Sequence, residues 1–508
     1  MKLKFFFLII LSITFSIFNA FAQDTLSYKR EFRGVWIATV ANIDWPSKQG
    51  LSTEQQKNEL LKILNAHQKQ GINAVMFQVR PAADAFYPNC DEPWSQYLSG
   101  IQGQCPMPFY DPLYFAIVEC HKRNIEFHAW FNPYRATFDS NDSIIINNHI
   151  TKIKPEWFFT YEGKKLFNPG LPEVRDYILK IILNVVDNYD IDGVHFDDYF
   201  YPYIIKGEII KDTETFILYN NGIANIKDWR RQNIDTLIHT LNDSIHAHKK
   251  YVKFGVSPFG IWKNKAQDPE GSDTRGGDSY YEIYADSRKW IKNNWVDYLN
   301  PQLYWSFTTK AAPFANLANW WGNNAYSRHI YIGHGAYRVN SATKDIGWRS
   351  AGQLGKQIAY IRQNENIHGS VFFSSKSLIK NPMGIADTLS KKYYKYPALP
   401  PTMPWLDSIA PSAPNNLQAT FTPRGTLLTW QSPLLALDNE AIYGYVIYRF
   451  LADEEIDLEY NENIKAIFYT PTLNWLDISA NPKERYKYVV TALDRLKNES
   501  LASNIVFF

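Results

Sequence analysis

Residues 191–200 read IDGVHFDDYF, a short β-rich run from Gly193 to Asp197 entered through the tight connection Asp190-Ile191-Asp192 and left through a long loop. Seven runs of the same kind flank it: Gly34 to Thr39, Ala74 to Arg80, Glu126 to Phe131, Phe254 to Ser257, Tyr298 to Tyr304, Tyr331 to Gly335 and Gly369 to Ser374. Helical patterns alternate with them at Thr53–Gln70, Pro112–Arg123, Pro172–Tyr189, Lys227–Ala247, Tyr281–Asn294, Pro313–Trp321, Gly352–Asn364 and Met383–Tyr393. Eight β/α units in alternation predict an α/β chain folded as a (β/α)8 TIM barrel. Connections entering strands are short, whereas those leaving strands two to five are long. The extra chain therefore gathers at the C-terminal ends of the strands, where barrels of this kind build their sites.

Strand parity carries the reading to individual residues. With Asp197 facing inward, His195 faces inward too, and the same alternation pairs Gln78 with Arg80, His128 with Trp130, and Asn300 with Gln302 and Tyr304. A barrel interior wants branched apolar layers, so this polar set predicts a functional mouth. The adjacent carboxylates Asp197 and Asp198 are the candidate catalytic pair, since neighbouring acids can raise one another's pKa; their structural alternative is to cap the loop that follows. Asp273, after strand five, and Asp84, after strand two, are the further carboxylate candidates. No metal site is expected, because the one His-x-His, His246-Ala247-His248, ends a helix. No Gly-x-Ser-x-Gly elbow, phosphate loop or dinucleotide fingerprint appears, and no cofactor is expected.

Composition sets the remaining bounds. The 508 residues carry 53 basic and 51 acidic side chains, a net charge of +2 without long single-sign runs, which argues against nucleic acid as a partner. Aromatic residues reach 16%, enough to line a carbohydrate or peptide cleft as well as a core. Lys2 and Lys4 precede an apolar stretch that ends in Ala20-Phe21-Ala22, a signal peptide with cleavage expected after Ala22 and a periplasmic or secreted product. No other stretch is long and apolar enough to span a bilayer. Export makes a Cys90–Cys105 disulfide the expectation, with Cys120 a buried thiol. The prolines between 396 and 414 read as a semi-rigid linker, and 415–508 as a small all-β immunoglobulin-like sandwich, leaving 23–395 for the barrel. The Trp430, Tyr443-Gly444-Tyr445 and Tyr486 to Ala492 pattern resembles a fibronectin type III domain.

The barrel motifs are also familiar as a set. Arg33-Gly34-Val35-Trp36, Asp44-Trp45-Pro46, Gln78-Val79-Arg80-Pro81, Phe127 to Arg135, Asn168-Pro169-Gly170, Gly193 to Tyr199, Gly255 to Pro258, Gly271 to Gly276 and Pro301 to Trp305 together resemble the bacterial glycosyl hydrolase-like 10 family. The resemblance implies hydrolysis of an envelope glycan, with a family precedent for peptidoglycan strands stripped of their stem peptides. Asp197 is then the first catalytic choice, with Asp198 ahead of Asp273 and Asp273 ahead of Asp84 as its partner. Gln78, Arg80, Asp84, His128, Asn132, Tyr134, Arg135, His195, Tyr199, Gln302, Tyr304 and Trp305 form the expected substrate-binding set. The competing expectation is a catalytically silent glycan-binding or scaffold protein of the envelope.

Overall fold

The computed structural model describes residues 28–138, 145–340 and 342–508; the segment read as a signal peptide lies outside them. Eight parallel strands close a barrel: β1 (Phe32–Ile37), β2 (Ala74–Arg80), β3 (Glu126–Phe131), β4 (Gly193–Phe196), β5 (Lys253–Val256), β6 (Tyr298–Leu299), β7 (His329–His334) and β8 (Ile367–Phe372), each beside its sequence neighbours and β8 beside β1. The principal helices are α1 (Thr53–Lys69), α2 (Pro112–His121), α3 (Pro172–Asn188), α4 (Ile226–His248), α5 (Ser287–Lys292), α6 (Phe314–Asn323) and α7 (Gly352–Ile361). Local chemistry starts them as expected. Asp111 accepts the Tyr114 N–H at 3.0 Å with Pro112 in the first turn of α2, and Ser52 and Gln55 form a reciprocal capping box on α1.

Residues on the outer faces of the strands pack against the helices, while Phe32, Trp36, Met76, Tyr298, Tyr331 and Val371 fill the interior. Two glycines make room for the interior rings. A Cβ on Gly193 would lie 2.4 Å from His128, and one on Gly255 would lie 2.0 Å from Tyr298. Several elements are shorter than the sequence suggests. The helix expected over Tyr281–Asn294 is broken into Ser279–Glu282 and α5 around Tyr284, whose φ is +55°, and the run from Tyr298 keeps ladder geometry only through Leu299. The expected disulfide is absent. Cys90, Cys105 and Cys120 are free thiols; Cys90 Sγ lies 3.5 Å from Tyr87 Oη and accepts the Glu92 N–H at 3.4 Å, so its place in the loop is fixed by those partners.

The C-terminal domain is a sandwich of β9 (Asn415–Thr422), β10 (Gly425–Gln431), β11 (Gly444–Leu451), β12 (Ile464–Phe468), β13 (Asn474–Asp477), β14 (Tyr486–Leu493) and β15 (Val506–Phe507), in sheets ordered β9-β10-β13 and β12-β11-β14-β15. Both faces of the second sheet are covered: one by the first sheet, the other by a cluster that includes Leu399. The proline-rich segment is accordingly no spacer. Leu399 exchanges backbone hydrogen bonds with Lys29 and Glu31, and Met403 and Leu406 enter the interior cluster at the N-terminal end of the barrel together with Leu496. Lys497, fully buried, reaches Glu126 at the start of β3. Barrel and sandwich share one buried boundary. Among the described residues no helix is long and apolar enough to cross a membrane.

Candidate active site

A cleft of about 440 Å³ opens at the C-terminal ends of the strands, and among the described residues its only carboxylates are Asp197 and Asp198. Asp197 follows β4 directly. Its Oδ2 accepts hydrogen bonds from Asn132 Nδ2 (2.5 Å) and Trp130 Nε1 (3.2 Å), and its Oδ1 accepts a longer one from the Tyr199 N–H (3.3 Å). Asn132 is itself fixed, because its Oδ1 accepts from Gln78 Nε2 at 2.6 Å while Gln78 Oε1 takes the N–H groups of Thr39 and Val40, each at 2.9 Å. Gln78, Asn132 and Asp197 thus form one relay across the ends of β1 to β4. Burial pushes the Asp197 carboxyl up to about 6; the Arg135 charge opposes this and the Asp198 charge adds to it. Burial raises Asp198 too, against hydrogen bonds from Tyr203 and Gln302 that favour its charged form.

Around the pair stand Trp36, Arg135, Tyr199, Gln302, Tyr304, Tyr337 and Phe373. The Arg135 guanidinium lies 4.6 Å from the Tyr199 ring centre, and Tyr199 is 45% exposed, so this face is open to a ligand. Arg135, Phe138 and Tyr199 also border a second cavity of about 260 Å³, lined further by Tyr161, Lys164 and Tyr203, which extends the cleft sideways. The arrangement offers a buried acid, an adjacent carboxylate and aromatic surface, the equipment for proton transfer to a bound sugar.

Other expected residues lie elsewhere. Arg80 is bound by Glu92 at 2.7 and 2.5 Å and by the carbonyl oxygens of Asn132 and Pro133, with 1% of its surface exposed. A register shift between Gln78 and Arg80 explains the displacement: Arg80 pairs with outward-facing Phe131, so parity fails after Gln78. His195 and His128 are interior groups below the cleft. Trp36 Nε1 donates to His195 Nε2 (3.1 Å), His195 Nδ1 meets Tyr298 Oη (3.0 Å), the hydroxyl meets His128 Nδ1 (2.9 Å), and His128 Nε2 lies 3.4 Å from Glu126. Burial lowers the pKa of both histidines, which keeps them neutral links in this column.

Tyr134 is a core residue, 1% exposed, and Trp305 packs edge-on against Phe259 without lining the cleft. Asp84 sits in a small separate crevice, raised to about 7 chiefly by burial, and accepts the Ala82 N–H. Asp273 is exposed on its loop, and its backbone carbonyl accepts from Asn316. Neither joins the pair. Sequence reasoning passed over Trp36, Tyr337 and Phe373 as lining residues. Parity on β1 and β8 would have placed Trp36 and Phe373 on the inner face, but strands buried on both sides carry no alternation to prompt it.

Comparison with known proteins places this cleft in a family context. The profile described as Glycosyl hydrolase-like 10 matches residues 31–350. The chain is 46% identical over 480 residues to "Glycosyl hydrolase YngK" of Bacillus subtilis (strain 168), covering 93% of this chain and 92% of that one. It is 36% identical over 378 residues to "Glycosyl hydrolase DigH" of Escherichia coli (strain K12), covering 70% of this chain and 85% of the relative. Among solved structures, the PgaB (BpsB) glycoside hydrolase domain from Bordetella bronchiseptica superposes with a TM-score of 0.47 at 12% identity, covering 71% of this chain and 98% of that one.

Proposed function

Because the chain belongs to the Glycosyl hydrolase-like 10 family, it is a glycoside hydrolase, and we propose that Asp197 and Asp198 cleave an N-acetylated envelope glycan by substrate-assisted hydrolysis. The observation that carries this reading is the unequal pair itself. Oδ2 of Asp197 is held by two N–H donors and Oδ1 only by the longer bond from the Tyr199 N–H, so Oδ1 is the oxygen placed to carry a proton at a pKa of about 6, while the Tyr203 hydroxyl donates to Asp198. Among the described residues no other carboxylate lines the cleft to serve as an enzymic nucleophile across the sugar ring.

Asp197 gives its proton to the glycosidic oxygen as the C1–O bond breaks and the leaving sugar departs as an alcohol. The acetamido oxygen of the substrate closes on C1, and the anionic Asp198 accepts the acetamido N–H, stabilising the charge that develops on the ring. Water then attacks C1 as the bond from C1 to the acetamido oxygen breaks and the acetamido group reopens; the water loses its proton to the Asp197 carboxylate, which restores the starting state. Trp36, Tyr199, Tyr304 and Tyr337 supply stacking surface, and Gln302 and Arg135 meet polar substituents.

The finer substrate is peptidoglycan glycan lacking stem peptides, met by a protein exported with loss of residues 1–22. Support comes from the length of the loops after β2 to β5, which a peptide on every second sugar is expected to meet. The test compares rates on one batch of sacculi before and after amidase treatment, with mass spectrometry of the products to identify the new reducing-end sugar. A much faster rate after treatment is expected; equal rates would remove the steric argument, and no soluble fragment from either would favour a silent binding protein.

A further inference from the structure

A cavity of about 380 Å³ lies at the opposite end of the barrel from the cleft, where the strand entries, the proline-rich segment and the C-terminal domain meet. Four cations border it: Lys69 at the end of α1, Arg123 after α2, Lys395 before the proline-rich segment and Lys465 on β12. No Asp or Glu is among its lining residues. Arg123 is paired with Glu119 at 2.6 Å. Lys465 Nζ donates to the Glu462 backbone carbonyl (2.6 Å) and Lys395 Nζ to Tyr396 Oη (2.9 Å); among the described residues Lys69, Lys395 and Lys465 make no ion pair. Carboxylate charges reach two of these lysines without pairing with them: Glu462 acts on Lys395, and Asp477, Glu462 and Glu454 act on Lys465.

The walls are fixed before any ligand arrives. Asn124, at φ +58°, donates through Nδ2 to the Ile467 carbonyl (2.6 Å) and accepts the Tyr469 N–H through Oδ1 (3.1 Å), tying β3's entry to the sandwich. Asn73 donates to the Ala398 carbonyl at 3.0 Å, tying β2's entry to the proline-rich segment. Gly71, at φ +76°, lets the chain turn against Tyr394, which a Cβ would approach to 2.7 Å. Ile72, Pro397 and Ile467 add apolar surface between the cations.

We propose that this cavity binds a sugar bearing an anionic substituent, a carboxylate or a phosphate, independently of the catalytic cleft. Three lysines that make no ion pair among the described residues, around one preformed cavity without a lining carboxylate, call for a negative ligand. The apolar lining and a volume within the ~300–1,000 Å³ usual for ligand sites call for something larger than a bare anion. Such a site would hold the enzyme on an acidic glycan while the cleft works elsewhere along it.

The test is calorimetric titration of the full chain with N-acetylmuramic acid, N-acetylglucosamine 1-phosphate, neutral N-acetylglucosamine and inorganic phosphate. At least one acidic sugar should bind more tightly than both the neutral sugar and phosphate, and salt should weaken it; which one binds identifies the anion. In Lys69→Gln/Lys465→Gln that affinity should fall at least about tenfold, the scale of losing charged hydrogen bonds, with melting temperature and turnover on soluble glycan unchanged. Acidic and neutral sugars binding alike, phosphate binding as well as either acidic sugar, or full affinity in the folded double variant would each overturn the proposal. If the double variant fails to fold, the exposed Lys395→Glu is read by the same criteria. Hydrolysis is scored separately, so failure here leaves the assignment of the cleft standing.

Discussion

Asp192 and Asp197 stand at the two ends of one strand, five residues apart and almost equally buried, at 3% and 5% exposure, yet their carboxyl groups are driven in opposite directions. Asp192 accepts from His121 at 2.7 Å and from the Phe127 N–H at 2.8 Å, and it lies 3.1 Å from Arg495 of the C-terminal domain; these partners hold its pKa well below the ordinary range despite burial. Asp197 has amide and indole donors and a cation that is only nearby, so burial prevails and its pKa rises. The difference teaches that burial alone does not make a catalytic acid. The floor of the barrel spends its cations on neutralising carboxylates, and the mouth withholds them.

The largest effect should come from breaking the floor. Glu126 accepts both hydrogen bonds of Lys253 at 2.7 Å and lies 3.3 Å from Lys497, and these cations hold its carboxyl low against burial. Glu126→Gln would leave two buried ammonium groups without their counter-charge, a loss of about 3–5 kcal/mol. Chemical denaturation should show that loss, while any folded fraction keeps its turnover. Removing residues 411–508 should likewise lower the melting temperature, because it uncovers the floor; a truncated barrel as stable as the full chain would break the comparison.

At the mouth, Asp197→Asn should lower turnover at least about 10²-fold, the lower range for positioned acid/base help. The same substitution should raise stability at neutral pH. The folded pKa of about 6 exceeds the unfolded value of about 3.9, so the native state binds the extra proton between those values, and its stability falls as pH rises through that window. Above about pH 6 the penalty is complete, on the order of 2–3 kcal/mol for a buried group. Melting curves of parent and variant should therefore diverge from pH 4 to pH 7, with the variant higher. A variant that is less stable at pH 7 would show Asp197 to be a structural anchor.

The barrel itself was legible in the alternation of elements and in the unequal loop lengths, and Asp197 was legible because β4 keeps parity to its end. Arg80 misled because a bulge is invisible to a two-residue period. His128 and His195 misled for a different reason: parity says that a side chain enters the barrel but not how deep it lies, and both sit in the column beneath the cleft. The prolines from 397 onward suggested a spacer, yet Met403 and Leu406 between them are the residues that fill the floor. Composition gives no sign of that, since an apolar residue in a proline-rich stretch finds its partner only in the fold.

The smallest expected effect sharpens the comparison most directly. Arg135 is the cation whose charge opposes the rise of Asp197, and it is half-buried beside water, so its influence is screened. If Asp197 works as an acid, kcat/KM falls as pH rises above about 6, because the reacting free enzyme must hold the proton. Arg135→Gln removes the charge that favours the carboxylate, so Asp197 keeps its proton to higher pH and this limb should move upward by less than about one pH unit. Loss of a substrate contact would raise KM and scale the whole profile without displacing the limb, so the two effects separate in one set of pH–rate measurements. A limb that stays fixed would mean that another group holds the reacting proton, whereas a downward shift would reverse the electrostatic argument for the mouth.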